Sequence, residues 1–292
     1  MVLGVLGFCL MDISLANERA FHLTAQIALD DARTRADEKR TNLVAGTMGA
    51  LISRPKPEEI QLLSSESRLE PFWHISISSR TVYDRNRTYS VAVGGSEVLT
   101  VTVLGQEVNV DPKAKGGAAF TLEGIEHCRD ERRLSQTFDG LSGQKSDLNK
   151  YLSFNKAEIA DLANFAPPAV LVVPPQARAT AVVRQLMTEI IKPVQAQVIH
   201  EERVDVEAID LYFRPVYAFE FDWAAKGKRA IVEYDALTNE TRTGGKKLKD
   251  QIKGMLTRDL LFDVTADAVG MIVPGGSIAV KLVKAVVDRG KQ

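Results

Sequence analysis

Apolar positions along residues 17–51 recur at a loosely helical spacing. Phe21, Leu23, Ile27 and Leu29 make a stripe, and Asp31 and Arg35 are spaced to pair across one turn. Arg54, Pro55, Lys56 and Pro57 close this stretch, because proline cannot continue a helix. Residues 58–63 then predict a short second helix with Pro57 in its first turn. After Pro71 the period changes to two. Trp73, Ile75 and Ile77 alternate with His74, Ser76 and Ser78, which predicts a strand with one buried face. Tyr89, Val91 and Val93 repeat the pattern. Gly94 and Gly95 signal a turn, residues 98–104 are rich in β-branched side chains, and Gly105 and Gln106 turn the chain again before Val108 and Val110. Such short spacings predict an antiparallel meander.

Residues 111–146 are broken by Gly116, Gly117, Gly124, Gly140 and Gly143, and predict an irregular connection with one strand near 120–125. Residues 146–164 predict a helix carrying Leu148, Leu152, Ile159 and Leu162. Residues 169–173 predict a strand, and a helix of about 20 residues follows through Val182, Val183, Leu186, Ile190 and Ile191. A second β region begins near Val204. Leu211, Phe213, Tyr217, Phe219, Phe221 and Trp223 share one strand face, Lys226, Gly227 and Lys228 turn the chain, and residues 230–237 return. Helical signals resume at Lys246 and run to the end, interrupted at Pro274, Gly275 and Gly276. The expected fold class is therefore α+β: two tandem modules, each an antiparallel meander packed on helix, with N- and C-terminal helical arms. The boundaries are 1–54 for the N-terminal arm, 55–145 and 146–243 for the modules, and 244–292 for the C-terminal helices.

The two β regions match each other. Pro71, Phe72, Trp73, His74, Ile75, Ser76 and Ile77 align with Pro215, Val216, Tyr217, Ala218, Phe219, Glu220 and Phe221, and each is followed by a partner strand rich in Tyr and Val. An internal repeat of one helix-plus-meander unit explains the match, and chance similarity of two amphipathic strands is the competing reading. Tyr217 to Phe221, the turn at Lys226, and then Val232, Glu233, Tyr234, Asp235, Ala236, Leu237, Thr238, Asn239 and Glu240 resemble a PepSY-type module over residues 211–242. Asn239 stands where that family has Gly, and Asn also tolerates a left-handed turn. The resemblance implies a binding or inhibitory role and no catalytic residues.

Charge and composition narrow the classes. Lys and Arg number 37 against 38 Asp and Glu, which disfavours a nucleic-acid partner even though Lys246, Lys247, Lys249 and Lys253 cluster locally. A 45% hydrophobic and 26% charged chain can build a sizeable core. Two distant cysteines, Cys9 and Cys128, support no disulfide framework and suggest a reducing, cytoplasmic compartment, with membrane association as the alternative. Residues 1–10 are nearly all apolar but lack a preceding basic residue. They read as a short packed helix, as a stretch upstream of a true start at Met11, or as a membrane or secretion element.

Candidate chemistry is sparse. His22, His74, His127 and His200 are widely separated, and no local spacing suggests a metal site. Gly275, Gly276 and Ser277 precede an apolar stretch and could bind an anion at a helix start, although a plain cap is the simpler reading. No His follows Ser277, which argues against a nucleophile elbow there. The terminal helix expected beyond it is apolar on most of its circumference, and Ile278, Leu282, Val283 and Val286 are the candidate partner-binding residues. These features predict a non-enzymatic binding, scaffold or regulatory protein with no cofactor, acting on a protein partner or as a homo-oligomer. The alternatives are a membrane-peripheral protein using its apolar ends, and an enzyme with a site near His127 or Ser277.

Overall fold

In a computed structural model, residues 11–53, 56–95, 97–244, 258–262, 264 and 280–284 are described. The elements run in the order β1 (Met11–Leu15), β2 (Glu18–Leu23), α1 (Leu29–Glu38), α2 (Arg40–Ser53), β3 (Ile60–Ala92), β4 (Thr100–Val103), β5 (Gln106–Asn109), β6 (Ala119–Asp139), β7 (Lys156–Glu158), β8 (Leu171–Val172), α3 (Ala179–Ile190), β9 (Val198–Trp223), β10 (Lys228–Asp235), β11 (Thr241–Thr243), α4 (Arg258–Leu261) and β12 (Val280–Lys284). Ten of the strands form one mixed sheet, and β4 and β5 form a separate hairpin.

The sheet is organised by two strands of unusual length, β3 with 33 residues and β9 with 26. They pair antiparallel from Ile60↔Trp223 to Asp84↔Val198. The far edge of β9 is shared in succession by β1 and β2, both parallel to it, and by antiparallel β10. The far edge of β3 carries parallel β8 and then antiparallel β6. The ladder slips three times, and each slip leaves a bulge residue unpaired: Leu63 on β3, and Glu207 and His200 on β9.

One face of this sheet is covered by helices. Beneath α3 lie Trp73, Ile75, Ile77, Phe138, Ile209, Leu211 and Phe213, joined by Leu261 and Phe262. Beneath α1 and α2 lie Tyr217, Phe219, Phe221, Trp223, Val232 and Tyr234. The amphipathic spacing of Val182, Val183, Leu186, Met187 and Ile190 seats α3, and all five are buried. On the opposite face Phe21, Leu23, Phe72, Tyr212 and Leu237 form a smaller cluster, capped by Tyr151 from the segment after β6.

The expected two modules are thus one sheet, and strand, not helix, dominates the chain. The two proline-led segments are neighbours in one ladder: Pro71 stands opposite Phe213 and Pro215 opposite Leu69. They run in opposite directions from the pair Glu70↔Arg214. A local two-fold axis through that pair carries Trp73 onto Tyr217, Ile75 onto Phe219 and Ile77 onto Phe221. The same axis relates β8, which leads into α3, to β2, which leads into α1. Each helix covers the half of the sheet built by the other half's long strand.

Other expectations are also corrected. The helix expected over 17–51 contains β2 before α1, because Phe21 and Leu23 alternate with Ala20 and His22 in a strand buried on both faces. Residues 58–63 enter β3 after a single 3-10 turn at Pro57–Glu59. The irregular connection of 111–146 holds the 21-residue β6, paired with β3 along its whole length. Residues 146–164 are a 3-10 turn at Asn149–Ser153 and β7 instead of a helix. The C-terminal arm expected as helix includes β12, parallel to β1. Gly140 is required where β6 ends: its N–H donates to the Pro71 carbonyl at 3.0 Å, and a Cβ there would lie 2.5 Å from that oxygen.

A single sheet should unfold as one unit. In a Trp223→Phe background, the remaining Trp73 reports on the cluster beneath α3. Phe219→Ala, in the other cluster, is expected to cost about 3–5 kcal/mol and to shift the Trp73 fluorescence midpoint in urea. An unmoved midpoint would indicate two independent units.

Candidate functional site

Arginines and acids at the centre of the ladder form a continuous charged chain on the face away from the helices. Arg68 is fully buried, and its guanidinium lies 2.7 Å from Glu70 Oε1 and donates to Glu233. Arg214 donates to Glu70 at 2.6 Å and to Asp235 at 3.0 Å. Tyr151 OH donates to Asp235 and accepts from Arg214 at 3.2 Å. Arg242 Nε donates to Glu233 at 2.8 Å. Strand pairing brings these groups together: Glu70 faces Arg214 across β3 and β9, Val216 faces Asp235 across β9 and β10, and Glu233 faces Arg242 across β10 and β11.

Tyr151, Arg214, Glu233, Asp235 and Arg242 line an open cleft of about 250 Å³, which Lys150 and Glu240 also line. Burial pushes the Glu233 carboxyl up, but Arg242 and Arg68 outweigh it and hold the group below the ordinary value. Burial, together with the hydrogen bond to Asp235, raises the Tyr151 hydroxyl. Each cation lining the cleft meets an acid, including Lys150 with Glu240 at 2.7 Å. A cleft neutralised in this way has little preference for a ligand of either net charge, and its clearest role is to join four strands and the Tyr151 segment.

Three further acids organise the same face nearer the start of β9. Asp210 accepts from Arg19 at 2.9 and 3.1 Å and lies 3.6 Å from His74 Nδ1, while His74 Nε2 is 3.0 Å from Ser135 Oγ. Bulge residue Glu207 accepts from Ser76, Ser78 and Arg133 at 3.1, 2.9 and 2.6 Å. Asp84 contacts His127 at 2.7 Å and bulge residue His200 at 2.8 Å. His200 and His127 hold the Asp84 carboxyl below its usual range. The two β9 bulges thus turn Glu207 and His200 onto this face.

Past Asp84↔Val198 the sheet loses β9, and among the described residues β3 and β6 continue as a two-stranded ribbon to Ala92↔Ala119. At about 3.3 Å per residue, residues 85–92 carry it roughly 25 Å outward. One of its faces bears Tyr89 beside Leu122 and Val91 beside Phe120, and the other bears Ile125. The β4–β5 hairpin belongs to the tip region. Its two-residue turn, Leu104-Gly105, has φ of 48° and 80°, the positive pair of a type I′ turn. Leu99 is 78% exposed and Leu104 100% exposed.

Compared with protein-family models, curated proteins and solved structures, the chain matches none. Among the described residues no helix is long and apolar enough to cross a membrane, and no group of three or more His, Cys, Asp or Glu is placed to hold a metal ion. Of the candidate residues, Leu282 pairs with Ile13 and Val283 with Ser14 in β12, where a helix was expected. Ile278, Val286, Gly275, Gly276 and Ser277 lie outside the described residues, as do residues 1–10 and the lysine cluster. His127 sits at the base of the ribbon, and Asn239 adopts φ 65°, the left-handed conformation that asparagine tolerates. Arg68, Arg214, Asp210, Ser135 and Leu104 do not stand out in the sequence. Only Leu104 has a local signal: a leucine where a turn calls for Asn, Asp or Gly.

The carboxylates of Glu233 and Asp210 are both held below their ordinary values of 4.5 and 3.8. Their contribution to stability is complete above those values and is lost as pH falls through the lower folded ones. The urea midpoint is expected to stay flat from about pH 7 to 5 and to drop below about pH 4.5. Arg242→Gln should make that drop shallower. An identical acid limb in the variant would show that Glu233 does not contribute to it.

Proposed function

We propose that the chain is a binding protein that engages a protein partner through the tip of the β3–β6 ribbon. The observation that supports this most is Leu104. A leucine at positive φ costs on the order of 1 kcal/mol, and its side chain, wholly exposed, gains nothing from packing against the described residues. Neither local conformation nor the core accounts for leucine at this position, whereas burial against a partner would recover about 1.5–3 kcal/mol. Leu99 adds a second exposed apolar side chain in the same region, and Tyr89, Val91 and Ile125 add more along the ribbon. The PepSY-type resemblance of residues 211–242 points to the same class, as does the balanced charge, which gives nucleic acid little purchase. The half-buried free thiol of Cys128 fits the cytoplasmic placement we favour.

Leu104→Asn separates the two roles. Asparagine suits the turn, so the Tm should hold or rise by a degree or two. A protein captured at stoichiometric level by the wild-type chain and identified by mass spectrometry should be lost with the variant. Equal capture by both chains would contradict the proposal, as would a lowered Tm showing that Leu104 serves the fold.

A further inference from the structure

Four strands place four polar side chains in one line on the face away from the helices. Arg19 of β2 stands opposite Asp210 of β9, and Asp210 opposite His74 of β3. Ser135 of β6 completes the line on the diagonal, two residues from Thr137, which stands opposite His74 in the β3–β6 pair. We propose that this line is an acyl-transfer site for small activated carboxylic esters, with Ser135 as nucleophile and His74 as its base.

The order of contacts is the one acyl transfer needs. Ser135 Oγ lies 3.0 Å from His74 Nε2, and His74 Nδ1 faces Asp210 Oδ2 at 3.6 Å. At 3.6 Å the second contact is beyond hydrogen-bond distance and leaves the buried His74 Nδ1 without a partner among the described residues, so it must shorten when substrate binds. Exposure is graded along the line. The Asp210 side chain is 4% exposed and that of His74 15%, while Ser135 is open to solvent. Burial pushes the Asp210 carboxyl up, but His74 and Arg19 more than offset this and keep it ionised. A carboxylate at Nδ1 favours the tautomer that leaves Nε2 free to accept the serine proton. Tyr212 stands edge-on to the imidazole with centroids 6.5 Å apart, which limits how the ring can turn.

In the reaction, Ser135 Oγ bonds to the ester carbonyl carbon as its proton passes to His74 Nε2. The carbon–oxygen bond to the leaving group then breaks, and His74 returns the proton to that oxygen. Water, deprotonated by His74, hydrolyses the acyl-serine and frees the acid. Arg133, two residues before Ser135 on the same strand face, is the nearest cation along β6 for the transient oxyanion; in this structure it pairs with Glu207 at 2.6 Å. Ser135 lies on the open face of an edge strand, so the class it takes is set by the reactivity of the ester and not by an enclosing pocket. Asp210 and Arg19 are positioning residues.

The test uses the full chain with p-nitrophenyl acetate. A burst of p-nitrophenolate is expected, with acetyl found on Ser135 by peptide mapping. Ser135→Ala, at an exposed position that leaves the fold intact, should lower the burst rate about a hundredfold. His74→Gln should do the same. Arg19→Gln should lower the acylation rate without changing the burst amplitude, and Arg19→Lys, which keeps a cation beside Asp210, should restore the rate; loss of structure alone would not be rescued in this way. Acetylation elsewhere with Ser135 unmodified, or wild-type rates in Ser135→Ala or in folded His74→Gln, would overturn the proposal. None of these residues lies on the ribbon, so the result is independent of partner capture.

Discussion

The fold hangs on the antiparallel ladder between β3 and β9. β3 spans the whole of β9, and among the described residues no other neighbour spans either strand. The others are short pieces attached to its two outer edges, apart from β6, which follows β3 outward. If the ladder shifted by one residue, either Trp73, Ile75 and Ile77 of β3 or Phe219 and Phe221 of β9 would leave the helix-covered face. The register is held from both sides: by apolar packing under α1, α2 and α3, and by the Arg68–Glu70–Arg214 chain, which closes only when Glu70 stands opposite Arg214.

The same ladder explains where polar chemistry collects. With one face covered by helices, charged side chains are turned to the other, and each bulge on β9 adds one more acid or histidine to it. The clusters that result are built around carboxylates: Glu70, Glu233 and Asp235 together in one, and Asp210, Glu207 and Asp84 singly in the others. Where β9 begins, β3 and β6 have no third strand beside them among the described residues, and they project as a ribbon. A two-stranded ribbon gains little from burial. Its exposed apolar side chains are therefore better suited to contact with another molecule than to the stability of this one.

Legibility in the sequence followed burial. Residues 73–77 and 211–223 read as strands because one face is buried and the period of two is clean. α3 read as a helix, although it stops at Ile190. β6 did not read as a strand: its alternation is of half-buried and exposed positions, and both sets carry charge, as with Glu126, Asp130 and Arg132 against Glu123, Arg129 and Arg133. Residues 146–164 carried apolar residues at helical intervals, of which Leu148 and Leu152 in fact anchor an irregular segment to the outer cluster while Ile159 and Leu162 join the helix-covered core. The match between the proline-led segments was visible, but its meaning lay in pairing, which no local pattern reveals. The parallel addition of β12 to β1 joins residues from opposite ends of the chain and left no signal in either. Arg68, Asp210 and Ser135 look like ordinary strand residues until the register sets them beside their partners.

Hydrogen exchange followed by mass spectrometry on the full chain tests the shared ladder most directly. Amides of residues 64–84 and 198–220 should be among the slowest and should lose protection together as urea is raised. Two blocks that open at different urea concentrations would mean that β3 and β9 belong to separate units, and would contradict a fold built on one ladder.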